Sequence, residues 1–131
     1  MENKKEVIKE LVEKKICFMI GEKDFELLEL PKEKTTYLSI ESDLNEYILN
    51  IANKSIRVSA IEIKKVVEDI IDENEIIIIK NCEEFPIQAV IAFTIAVESR
   101  SNKQLIFVSE KREYRLATNK ALSDRIVILS Q

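Results

Sequence analysis

The stretch NEIIIIKNCEEF, residues 74–85, runs four isoleucines into Lys80, Asn81, Glu83 and Glu84. Carboxylates at the end of a buried strand are the raw material of a magnesium site for phosphate chemistry. Here a lysine comes first, and its positive charge would repel the ion. Glu83 and Glu84 lie beyond the strand and would have to reach back to hold a metal. Asn81 and Ser109, the latter closing QLIFVS, also fall at strand ends, where open α/β sheets bind ligands. Both could hydrogen-bond a small anion beside Lys80. The plainer alternative is that they cap turns or helices, as Asn and Ser do routinely.

A second group is basic. Lys111, Arg112, Arg115 and Lys120 surround Tyr114, and basic side chains interleaved with an aromatic can track a nucleic-acid backbone. Residues 98–125 hold seven Lys or Arg against four acids, whereas the first 97 residues hold 13 against 20. The C-terminal quarter is thus mildly basic within a chain of net charge −4, an overall balance that argues against nucleic acid as the main partner. Adjacent acids such as Asp72 and Glu73 read as solvated surface, and no acid–base dyad is apparent.

What is missing narrows the chemistry further. The chain has no histidine, which removes Ser-His, Cys-His and His-ligated metal sites. It has one glycine, Gly21, so neither GxxxxGK[ST] nor GxGxxG can be written. Cys17 and Cys82 each sit inside an apolar segment and read as buried structural thiols. No metal or cofactor is expected. The amino-terminal MENKKEVIKELVEKK carries charges throughout and no small-residue cleavage site, and no apolar run approaches ~20 residues. The expected compartment is the cytoplasm, without membrane association.

These residues need elements to position them. At 131 residues, 46% hydrophobic and 34% charged, the chain suits one globular α/β domain, 1–131. Residues 4–14 have the one-sided spacing of a helix through Val7, Ile8, Leu11 and Val12. ICFMI (16–20) reads as a buried strand, and GEKDFELLELPKEK (21–34) as either a turn and an edge strand, Phe25 to Leu30, or the remnant of a short helix stopped by Pro31. TTYLSIE (35–41) is a strand. Asp43 with Glu46 resembles a capping box, predicting a helix that aligns Leu44, Tyr47, Ile48 and Ile51. Ser59 with Glu62 repeats that signal ahead of a helix from about Ala60 to Asp72. EIIIIK is the central strand, covered on both faces. Pro86 opens a helix apolar almost all round, expected to be the most buried one. QLIFVS (104–109), a short helical segment in YRLATNKAL, and RIVIL (125–129) complete the order. Five buried strands alternating with helices predict a three-layer α/β/α sandwich with a mainly parallel five-stranded sheet.

That order resembles the AAA+ core of the P-loop NTPases, with IIIIKN as the third strand and QLIFVS as the fourth. Ser109 would then stand in the sensor position, and KALSDRIVIL would be the approach to the fifth strand. Within the class, FMIGEKDFELL, EIIIIKNCEEF and LIFVSEKREYRLATNKAL are similar to stretches of clamp-loader delta-type subunits, which keep the fold and have lost the nucleotide site. The resemblance implies a degenerate core in which Lys80, Asn81 and Ser109 are vestigial nucleotide-site positions. It also implies a sharper reading of Arg125, as a trans arginine finger reaching a neighbour's ATP, since guanidinium is permanently charged and bidentate toward phosphate. Pairing with Asp124, Glu110 or Glu113 is the plainer one. The expected function is a non-catalytic interaction or scaffold protein, self-associating or bound to an ATPase in DNA transactions. One alternative is a small STAS-like regulatory domain, with 16–20, 25–30 and 36–41 as antiparallel neighbours. Another is a nucleic-acid-binding protein, and an enzyme ranks last.

Overall fold

The computed structural model describes residues 3–99, 103–109 and 120–129. Helix α1 (Lys4–Glu13) begins where the Asn3 side chain accepts from the Lys5 amide. Strand β1 (Phe18–Gly21) follows, then two 3-10 turns at Glu22–Leu27 and Lys32–Lys34. Strands β2 (Thr35–Asp43), β3 (Glu46–Ile51) and β4 (Lys54–Ser59) form an antiparallel meander. Helix α2 (Ile63–Glu73), β5 (Ile76–Ile79), a 3-10 turn at Cys82–Glu84, α3 (Ile87–Glu98) and β6 (Gln104–Ser109) come next. The described chain closes with α4 (Lys120–Ser123) and β7 (Val127–Ile128).

One sheet of seven strands results, in the order β4-β3-β2-β5-β6-β1-β7. All five predicted strand positions are present, and their mutual pairings are parallel. The sheet is nevertheless mixed, because β3 and β4 extend it antiparallel beyond β2. Residues 43–51 therefore correct the predicted helix. The carboxylates of Asp43 and Glu46, which resembled a capping box, both face Arg57 Nη1 at 2.7 and 3.5 Å. Leu38, Ile40, Leu49 and Val58 instead line one face of the meander, where α2 covers them. Burying four large aliphatic side chains, at about 1.5–3 kcal/mol each, outweighs a helix-cap signal of ~1 kcal/mol.

The second capping signal is real but sits one turn early. Ser59 and Glu62 bond reciprocally, amide to carboxylate and amide to hydroxyl, both at 3.3 Å. They close the turn that precedes α2 rather than its first residues. Segment 25–30 is no strand, and among the described residues β1 pairs with β6 and β7, parallel to both. The antiparallel trio required by the STAS-like arrangement does not form.

Helices lie on both faces. Met19, Ile77, Ile79, Leu105 and Phe107 point to the side packed by α2, α3 and α4. Phe18, Ile20, Ile78, Ile106 and Val108 point to the side packed by α1 and by Phe25, Leu27, Leu28 and Leu30. The period-two alternation of buried strands thus builds two cores at once, as the unbroken isoleucine run predicts. Two expectations of burial fail. Both residues of β7 are exposed at the sheet edge. Helix α3 buries Ala89, Val90, Ala92 and Phe93, yet leaves Ile87, Ile91 and Ile95 exposed at 56%, 41% and 43%. Among the described residues no helix is long and apolar enough to cross a membrane.

Candidate functional site

Strands β5, β6 and β1 are neighbours and end on the same side of the sheet. Their ends bring together Lys80, Asn81, Ser109, Gly21 and Glu22, so three sequence-predicted positions converge. Gly21 pairs with Ser109 across β1 and β6, in ordinary extended backbone at φ −81°. The chain then turns directly into the 3-10 turn at Glu22. The only glycine therefore serves close packing inside a strand and lends no left-handed turn to a loop.

Side chains from the chain itself occupy this end of the sheet. Lys80 Nζ lies 3.9 Å from Glu22 Oε1 and 4.7 Å from the centroid of the Phe25 ring. The lysine amide still donates to Leu38 O at 2.8 Å, which continues the β2–β5 ladder by one residue and fixes where the side chain starts. An ion pair this exposed adds little, but a cation over an aromatic face contributes ~0.5–1 kcal/mol. Together they lay the lysine across the end of β6 toward β1. The buried Ser109 hydroxyl donates to Glu83 Oε1 at 2.9 Å. Glu83 thus turns to the fourth parallel strand instead of to a metal beside Lys80.

Asn81 begins the 3-10 turn in the left-handed region, φ 40°, a conformation that asparagine tolerates better than most residues. Its Nδ2 donates to Ile40 O at 2.9 Å, tying the end of β5 to β2. Its Oδ1 is buried with no hydrogen-bond partner. Cys82, next along, is buried, and burial together with the Glu83 carboxylate pushes its thiol far above the usual range. Burial likewise raises the Cys17 thiol, which accepts from the Leu105 amide at 3.4 Å. Neither is a nucleophile at neutral pH. Among the described residues no group of three or more acids or cysteines is placed to hold a metal.

A scan against family models finds no match to this chain. Searches of curated proteins and of solved structures also find none. The site is therefore read from its own geometry.

Arg125 lies elsewhere. It precedes β7, which runs parallel to β1, so it sits at the opposite end of the sheet from Lys80. Its Nε donates to Glu98 Oε1 at 2.7 Å and its Nη1 to Ala121 O at 2.6 Å. Among the described residues its carboxylate partner is Glu98, the last residue of α3, rather than Asp124, whereas Glu110 and Glu113 lie outside the described residues. Lys120 is exposed at the start of α4, whereas Lys111, Arg112 and Arg115 lie outside the described residues. Sequence reading missed Glu22 and Phe25 as the partners of Lys80. They are 55 or more positions away, and no spacing rule links a strand-end lysine to a turn packed there by tertiary structure.

Proposed function

We propose that this chain is a non-catalytic interaction module, a degenerate AAA+-like α/β core that associates with itself or with an ATPase. The observation carrying this reading is the Lys80–Glu22–Phe25 contact across the strand ends. Phosphate transfer needs open backbone amides, a cation aimed at the phosphates and carboxylates around magnesium. Here the cation is engaged with Glu22 and Phe25, Glu83 accepts from Ser109, and β1 passes without a loop into a 3-10 turn. Five parallel strands in the expected chain order also support the likeness to that core. What the molecule has to offer is a rigid sheet with helices on both faces, which suits a scaffold.

Titration with magnesium and ATP tests this directly. The expected result is no saturable heat or fluorescence change at millimolar nucleotide, and no phosphate release. Magnesium-dependent binding that disappears in Lys80→Ala would overturn the reading, because Lys80 would then be contacting phosphate.

A further inference from the structure

We infer that a cleft beside β2 is a binding site for a small organic monocarboxylate with an apolar body, a role that goes beyond the interaction-module reading and does not depend on it. On this face of the sheet α1 packs on the parallel strands, and the rest of the cover comes from the irregular segment after β1. Phe25, Leu28 and Leu30 of that segment are only half-buried. Between them and the sheet lies a cleft of about 370 Å³. Its floor is Ile78 and Tyr37, which pair side by side across β5 and β2. Phe25 and Tyr37 also touch through their rings, with centroids 6.1 Å apart, so the aromatic wall is fixed. The volume falls within the ~300–1,000 Å³ of small-molecule sites. At ~30 Å³ for each water-sized group, it holds roughly a dozen non-hydrogen atoms.

Three polar side chains line the cleft, and they select the charge of the ligand. Lys32 stands exposed at the rim, and among the described residues no acid pairs with it. Its backbone is held in place by the second 3-10 turn. There the Lys34 amide donates to Pro31 O at 3.1 Å and the Thr35 hydroxyl donates to the same carbonyl at 2.8 Å. The Thr35 proton is thereby spent. The Tyr37 hydroxyl bonds to none of the described residues. The lining thus presents one positive charge, one free phenolic donor and no carboxylate, against walls that are otherwise apolar. A cationic ligand would find no counter-charge. A phosphate ester is met best by the fork of an arginine, and none lines the cleft. A carboxylate carries one charge and two acceptor oxygens, which an ammonium and a hydroxyl match. An apolar body of about ten carbons fills the rest.

Amide NMR spectra of the isotopically labelled full chain, titrated at pH 7 with decanoate and with 2-naphthoate, decide it. Saturable shifts are expected, centred on Phe25, Leu28, Leu30 and Tyr37, with a dissociation constant on the order of 1 mM or tighter. Saturation by either acid supports the inference, and which of them binds tells an alkyl from an aromatic body. Lys32→Glu should raise the dissociation constant tenfold or more, and Tyr37→Phe about threefold. Both residues are at the surface, so spectra away from the cleft should not change. 2-Naphthol, the same rings without the carboxylate, should bind wild type about tenfold more weakly than 2-naphthoate. No saturation by either acid below about 5 mM, shifts centred elsewhere, or an acid affinity that survives Lys32→Glu would overturn the inference. So would 2-naphthol binding as tightly as 2-naphthoate. An unchanged affinity in Tyr37→Phe would overturn the part assigned to its hydroxyl.

Discussion

The two halves of the sheet are built on different physics. In β5, β6 and β1 nearly every side chain is buried, with helices above and 3-10 turns plus α1 below. In β3 and β4 only the side facing α2 is covered. The other side carries Ile48 together with a polar ladder in which Asn50 bridges Glu41 and Ser55, and Arg57 meets Asp43 and Glu46. The contrast teaches where specification comes from. The parallel half is held by doubly covered apolar runs. The meander is held by alternation, register and two tight turns, so its stability is spread thinly over many small terms.

Core truncation should separate the halves most sharply. Phe107 is fully buried and makes an edge-to-face contact with Phe93, which in turn meets Phe85. Phe107→Ala should cost about 3–5 kcal/mol in urea unfolding, and fold only if the starting stability exceeds that. Ile48, half-buried on the open face of the meander, belongs to neither core. Ile48→Ala should cost roughly 1 kcal/mol or less. Similar losses at the two positions would mean that the open face is covered by something.

Backbone substitutions sharpen the same contrast with smaller effects. Gly21 is buried with an unstrained φ, so Gly21→Ala adds a methyl to a closed space and should cost about 1–3 kcal/mol by overpacking. The meander is the reverse case. Leu44 and Ala52 each open a two-residue loop with positive φ, 56° and 51°, where glycine would be relaxed. Leu44→Gly and Ala52→Gly should each stabilise the protein by about 0.5–1 kcal/mol, read as a raised urea midpoint. A loss at either position would show that the loop side chain makes a contact worth more than the backbone strain.

Those two loops explain why the meander was illegible in the sequence. A hairpin is recognised by Asn-Gly or Asp-Gly between alternating segments. The only glycine is spent in β1, so Asp43-Leu44-Asn45-Glu46 carries no such mark. The spacing of Leu44, Tyr47, Ile48 and Ile51 then imitates a helix. The parallel half was legible because a run such as Ile76–Ile79 leaves no other economical placement than between two covered faces. At the strand ends, the convergence of Lys80, Asn81 and Ser109 could be read from the order of elements. Their partners could not, since Glu22 and Glu83 are chosen by the packing of turns. Helix α3 misled differently. Its all-round apolarity signals burial, yet Ile87, Ile91 and Ile95 are left exposed.

The smallest effects separate the halves by pH, from opposite ends of the scale. On the alkaline side Cys17 and Cys82 both carry raised thiols, and the more deeply buried is Cys82, in the turn after β5. Its thiol is raised above an ordinary value of 9.0 by burial and by Glu83. Above about pH 9 the unfolded chain releases this proton while the folded chain keeps it, so stability falls as pH rises. Cys82→Ala should lower stability at neutral pH by leaving a cavity, and should flatten the alkaline decline. On the acid side Glu10 and Glu29, beside the parallel half, are held below 4.5 by Lys14 and Lys5. At the end of the meander the group is Glu62, held below its ordinary 4.5 by the Ser59 hydroxyl first and the Ser59 amide second. Its contribution is complete above pH 4.5 and disappears as pH falls through the lower folded value. Amide exchange at Ser59 and Glu62 should therefore accelerate in acid before exchange in β5 and β6 does, and Glu62→Gln should remove that difference. Equal acid sensitivity of β5 and the β4–α2 turn would show that the halves unfold as one unit, and that the contrast between them is one of composition without a counterpart in cooperativity.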